Sequence, residues 1–176
     1  MNKGFIKTLL FLTLLSIISG CRYRAGYPVN TANIRTIYVA PAVNKAIVAQ
    51  VSTVLTRQIR EEILRSGIAH LGSSANDSDT VLEVIVTQYG RSVGSVDEYD
   101  ADIAKTLSLD MSAKCSLRDN RSAQYFFKDQ TVSASISINA TDSAQSIEFQ
   151  CLPQLSRKLS QKIALLLANV ETHHKN

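Results

Sequence analysis

Thr106-Leu107-Ser108-Leu109-Asp110-Met111-Ser112-Ala113-Lys114-Cys115-Ser116-Leu117 decides the fold. Every odd position is apolar or small and every even position is polar or charged. In a β-strand, successive side chains point to opposite faces, so this pattern predicts a strand over Ile103–Leu117 with one dry face and one wet face. Arg118-Asp119-Asn120-Arg121 supplies a turn, and Gln124–Ile138 repeats the pattern. There Val132, Ala134, Ile136 and Ile138 alternate with Thr131, Ser133, Ser135 and Ser137. Two such segments joined by a turn predict an antiparallel hairpin.

Upstream of the hairpin, Thr80–Tyr89 is apolar on both faces around Val81–Val86, which marks a central strand. Gly90–Asp102 reads as a polar loop and Gly72–Ser78 as a turn-rich stretch, with a short strand over Ile68–Leu71 before it. Val48, Val51, Leu55, Ile59 and Glu62/Ile63 recur at three and four within Ala46–Ser66, predicting an amphipathic helix capped by Gly67. Ile34–Val39 is a β-branched and aromatic first strand, ended by Pro41. Downstream, Ile147, Cys151, Leu155, Leu159, Ile163, Leu166 and Val170 form one helical stripe. Pro153 either kinks that helix or starts it. The expected fold is an α+β two-layer sandwich, a mainly antiparallel four-stranded sheet with two amphipathic helices packed on one face.

The N-terminus is of a different kind. Lys3 and Lys7 precede an apolar run, Thr8–Ile18, that is too short for a transmembrane helix and ends at Ile18-Ser19-Gly20-Cys21. Small residues directly before a cysteine resemble a bacterial lipobox. That resemblance implies cleavage after residue 20, a thioether lipid on Cys21 and acylation of the new amino terminus. Two or more acyl chains give stable anchoring. Arg22 after the cysteine, rather than Asp, points to the outer membrane. The expected organisation is signal peptide 1–20, lipidated tether 21–33, one α+β domain 34–170 and a frayed tail 171–176.

An apolar fraction of 45% with 19% charged residues is globular composition. Removing Lys3 and Lys7 lowers 19 Lys and Arg to 17 against 15 Asp and Glu, a balance of +2. So weak a charge argues against a nucleic-acid binder. The sequence has no Gly-rich phosphate loop, nucleophile elbow or HExxH motif. His70, after the first helix, reads as a structural or surface residue, the His173-His174 pair lacks partner ligands at zinc spacing, and Asp97, Glu98, Asp100 and Asp102 lack a calcium-loop register. No catalysis, metal or cofactor is expected. Cys115 and Cys151 both fall on dry stripes, where a disulfide and two unpaired core thiols are alternative outcomes.

Several segments, in a resemblance that covers nearly the whole mature chain, together resemble the lipopolysaccharide-assembly lipoprotein family, LptE. They are Cys21-Arg22-Tyr23-Arg24, Ile34–Pro41 followed by Asn44-Lys45, Leu55-Thr56-Arg57 with Glu61-Glu62, Asp77–Glu83 and Leu117-Arg118-Asp119. Arg22 stands where the family usually has Gly, and the C-terminal half lacks the usual aromatics. The order and spacing of these segments carry the resemblance. It implies an outer-membrane lipoprotein that plugs the lumen of the β-barrel protein LptD, helps assemble it, binds lipopolysaccharide and assists its delivery to the surface. Arg91 and Lys128 are the candidate phosphate contacts, with Lys114, Arg118 and Arg121 as further cations. Alternative readings are a lipoprotein regulating a cell-wall synthase and an auxiliary lipoprotein of an ABC lipid-transport system. On the barrel reading, the Ser- and Thr-rich wet face meets a polar barrel wall or the ligand.

Overall fold

A computed structural model describes residues 34–46, 50–93, 106–139 and 144–170. The signal, Cys21, the tether, the acidic loop 97–102 and the C-terminal tail lie outside the described residues. The element order is β1 (Thr36–Val39), β2 (Val43–Asn44), α1 (Val51–Ser66), β3 (His70–Leu71), β4 (Thr80–Val93), β5 (Thr106–Asp119), β6 (Tyr125–Asn139) and α2 (Ala144–Ala168).

The expected hairpin is β5–β6, in antiparallel register from Thr106 opposite Asn139 to Arg118 opposite Tyr125. β4 pairs with the other side of β5 and is antiparallel to it, so it is central, as its two apolar faces required. The four-stranded, mainly antiparallel expectation needs correction. The sheet has six strands in the order β3-β1-β4-β5-β6, with β2 beside β4. β1 runs parallel to both β3 and β4, and β2 runs parallel to β4. The helical crossover α1 makes this possible, because it carries the chain back to the end of the sheet where β1 began. The expected Gly90–Asp102 loop also starts later, since β4 continues through Gly90 to Val93.

Both helices cover one face. Leu109, Met111, Ala113, Cys115 and Leu117 of β5 are fully buried and join Leu82, Val84 and Val86 of β4 in the core. α1 contributes Val51, Leu55, Ile59 and Ile63, a ridge at four-residue spacing. It ends where Gly67 adopts φ +66 and its N–H reaches the Ile63 carbonyl, a left-handed cap that disfavours any side chain. Two polar contacts tie the end of β1 and the link to β2 to this helix. Arg60 donates to the Val39 carbonyl at 2.9 Å, and the Ala42 N–H donates to Thr56 Oγ1 at 2.9 Å.

α2 does not start at Pro153. It begins nine residues earlier at Ala144 and runs through the proline, which leaves the carbonyl four residues before it without its helical donor. Besides the expected Leu155, Leu159 and Ile163, the helix buries Ser156, Ser160 and Ala164. These small residues at four-residue spacing form the ridge next to the large one and leave room for α1 to lie against α2. Ser160 Oγ donates to the Arg157 carbonyl, but Ser156 Oγ is buried with no partner. Ser156→Ala should therefore be neutral or stabilising by up to about 1 kcal/mol, because it removes an unpaired hydroxyl without opening much space. Urea unfolding midpoints of the two proteins are the check.

Cys115 and Cys151 are free thiols, one buried on β5 and the other half-buried on α2. The pairing left open from the sequence is not formed. Burial pushes the Cys115 thiol up to about 12, so it stays protonated and behaves as a small apolar side chain.

The end of the sheet near the hairpin turn is held by one carboxylate. Asp79 Oδ2 accepts from the Thr36 N–H at 3.1 Å and from Thr36 Oγ1 at 3.0 Å, and Asp79 Oδ1 accepts from Arg121 at 2.7 Å. Asn120 adds side-chain bonds to the Ala75 and Ser78 carbonyls. The start of β1, the turn-rich stretch before β4 and the β5–β6 turn are thereby fastened together.

Candidate functional site

Because both helices lie on one side, the other face of the sheet faces solvent. Its composition follows from the alternation that builds the core. On β5 it carries Ser108, Asp110, Ser112, Lys114, Ser116 and Arg118, and on β6 Thr131, Ser133, Ser135 and Ser137, all four exposed. The hydroxyls pair across strands, with Ser112 Oγ 2.9 Å from Ser133 Oγ and Ser108 Oγ 2.7 Å from Ser135 Oγ. Ser92 Oγ on β4 donates to Asp110 Oδ2 at 3.0 Å. Each hydroxyl keeps capacity for a further partner, so the half of the face toward the β6 C-terminus is a sheet of small donors and acceptors.

Toward the hairpin turn, the same face changes character. Tyr38, Val81, Arg118 and Tyr125 stand directly opposite one another on β1, β4, β5 and β6 and form one row across four strands. Val81 is only 4% exposed although it lies outside the helix-side core, so the flanking side chains shelter it. Two positions along in β4 and β5, Glu83 faces Ser116, and beyond that Ile85 faces Lys114. Lys128 projects from a bulged stretch of β6, with its Nζ 5.2 Å from the centre of the Tyr125 ring. Lys114, Arg118 and Lys128 thus share one end of the outer face, with Glu83 among them. Arg121, in the turn, is already paired with Asp79.

Arg91 is elsewhere. A register shift in β4 between Val86 and Gln88 inserts Thr87 as an extra residue. Beyond it the faces exchange, and Arg91 comes opposite Leu109 on the helix-side face. Leu109 and Leu117, the partner of Phe127 beside Lys128, are eight residues apart on β5, roughly 27 Å. The two candidate phosphate contacts therefore lie at opposite ends of the sheet and on opposite faces. Of the cations singled out in the sequence, Lys114, Arg118 and Lys128 are brought together and Arg91 is not. Reading the sequence alone missed Tyr38, Val81 and Tyr125, whose common row depends on strand order. The signal available was Val81 and Ile85, apolar residues on the side of β4 that faces away from the helices.

A concavity of 420 Å³ lies between the helices, lined by Gln58, Glu61, Glu62 and Arg65 of α1 and Pro153, Gln154 and Arg157 of α2. Within it Glu62 is buried and paired with Arg65. Among the described residues no cluster of His, Cys, Asp and Glu could hold a metal ion, and no helix is long and apolar enough to cross a membrane.

Solved structures that share this α+β fold include several bacterial lipoproteins. The uncharacterized lipoprotein B of Nitrosomonas europaea superposes with a TM-score of 0.55 at 14% identity, over 89% of this chain and 99% of that one. A hypothetical protein of Chlamydia trachomatis gives 0.56 at 12% identity, over 80% and 100% of the two chains. A minor lipoprotein of Acinetobacter baumannii gives 0.51 at 11% identity, over 77% and 93%. At these identities the likeness is one of fold. No curated protein matches the chain. The family model for LptE, described as lipopolysaccharide-assembly, matches residues 34–167, and the chain belongs to that family.

Proposed function

We propose that this chain is an outer-membrane lipoprotein, anchored through Cys21, that sits within an LptD-like β-barrel, supports its assembly and assists lipopolysaccharide insertion at the cell surface. The observation that carries this reading is the outer face of the sheet. It is long, lacks a continuous apolar patch over Ser108–Lys114 and Thr131–Ser137, and carries small hydroxyls that accept water-mediated partners. The interior wall of an outer-membrane barrel is polar, so a protein lodged there needs such a surface. An apolar face would instead suit a partner that excludes water.

Lipopolysaccharide carries phosphates, and Lys114, Arg118 and Lys128 at the turn end of that face are the proposed contacts for them. Glu83 tempers that end, so the cations orient a phosphate rather than create a strong positive field. Arg91, on the far end and the other face, would meet a different group on the same large ligand or on the barrel. The family membership supports the lipopolysaccharide assignment, and the fold supports the lipoprotein one.

The test introduces bulk and apolarity where the face meets its partner. Ser112→Leu with Ser133→Leu should reduce recovery of the barrel with the tagged protein from detergent-solubilised outer membranes by about tenfold or more, while the thermal midpoint moves little, since both sites are at the surface. Undiminished recovery of a large β-barrel by the double variant overturns the assignment of this face. Recovery of a murein synthase or an ABC component in place of a barrel overturns the function.

A further inference from the structure

Among the described residues, β6 is the last strand of the sheet and pairs only with β5. In an antiparallel pair, alternate residues direct both their N–H and C=O to the neighbouring strand and the residues between them direct both away. The outward set is identified by its occupants. Lys162 Nζ donates to the Ser133 carbonyl at 2.6 Å, and Lys158 Nζ donates to the Ser135 carbonyl at 3.2 Å. Ser133 and Ser135 therefore face outward. Because the register is unbroken from Thr131 to Asn139, so do Thr131 and Ser137.

Natural sheets protect a free edge by shortness, proline, a bulge, an inward charge or a covering element. Between Thr131 and Ser137 this edge has none of the first four, since it is seven residues of regular strand, about 20 Å, carrying hydroxyls on one face and Val132, Ala134 and Ile136 on the other. Two exposed lysines on α2 are its cover. They satisfy two carbonyls and none of the outward N–H groups, and an exposed, flexible ammonium is easily displaced from a carbonyl.

We propose that the outer edge of β6 from Thr131 to Ser137 is a docking site for an extended acidic strand of a partner protein. The incoming strand displaces Lys158 and Lys162 from the Ser135 and Ser133 carbonyls, pairs with the freed main chain and presents carboxylates to the two ammonium groups. Affinity comes from main-chain pairing and selectivity from charge. The charge also decides against a second copy of this chain as the occupant. Two β6 edges brought together would place four lysines along one seam, with like charges opposed. The site is distinct from the outer face invoked above and does not rest on that reading.

The test uses the full chain, isotope-labelled and held in detergent micelles, with an eight-residue peptide of alternating Glu and Thr as probe. The Glu peptide should shift the amide resonances of Thr131, Ser133, Ser135 and Ser137 and slow their hydrogen exchange. It should bind about tenfold or more tightly than the same peptide with Lys for Glu. Ser133→Pro or Ser135→Pro removes an outward N–H without touching the β5 ladder and should abolish binding, whereas Ser133→Ala should retain it. Should the proline variants fail to fold, Lys158→Glu with Lys162→Glu changes only exposed side chains and should reverse the preference toward the Lys peptide. The proposal is overturned by unshifted edge amides, by equal binding of both peptides, by an unreversed preference in the Glu variant, or by edge shifts that track self-association without peptide.

Discussion

Asp79→Ala should destabilise the protein by about 2–4 kcal/mol, read as a lower urea midpoint at an unchanged m-value. The carboxylate is 18% exposed and accepts two bonds from Thr36, so its loss leaves the Thr36 N–H and hydroxyl at the start of β1 without their acceptor. The Arg121 bond adds little, because that arginine is 82% exposed. The same geometry sets a pH signature. The Thr36 hydroxyl and N–H hold the Asp79 carboxyl below its usual range, with a smaller contribution from Arg121. A depressed folded-state value means the stabilisation is complete above the unfolded value of about 3.9 and is lost as pH falls through the lower folded one. The stability difference between wild type and Asp79→Asn should accordingly be constant from pH 7 down to about 5 and shrink below about 4. A difference that stays constant to pH 2 would show that the carboxylate charge is not what fastens β1.

Leu159→Ala should cost about 2–5 kcal/mol, again measured by denaturant unfolding. Leu159 is fully buried on the large ridge of α2, and the small residues beside it, Ser156 and Ser160, offer no side chain that could relax into the gap. Leu165→Ala, on the same helix but 40% exposed, is the control and should change stability by less than about 1 kcal/mol. If the two substitutions cost the same, α2 is not packed as described. The contrast matters for function, because α2 also carries the two lysines that reach the edge of β6.

Local patterning made much of this fold legible. The hairpin follows from alternation at single-residue resolution, and its dry positions from Leu109 to Leu117, with Ala134 and Ile136, are buried. α1 follows from apolar spacing and the glycine after it. What stayed illegible required partners distant in sequence. β2 is two residues, too short to show a period, and becomes a strand only because β4 offers a parallel edge, whereas β3 falls within the short strand expected over Ile68–Leu71. Ser156 and Ser160 look like surface residues of α2 and are buried because the helix packs against α1, β5 and β6. Arg91 looks like one more cation for a common patch, but the single extra residue at Thr87 sends it to the opposite face.

The α+β class, the dry and wet faces of the hairpin and the likeness to LptE were all written in residue type and spacing along the chain. Only the tertiary structure decided which cations share a surface, that Tyr38, Val81, Arg118 and Tyr125 form one row, and that lysines of the final helix lie on the free edge of β6. Strand order, bulges and helix placement set those relations, and they arise from burying apolar area between segments that carry no local record of each other.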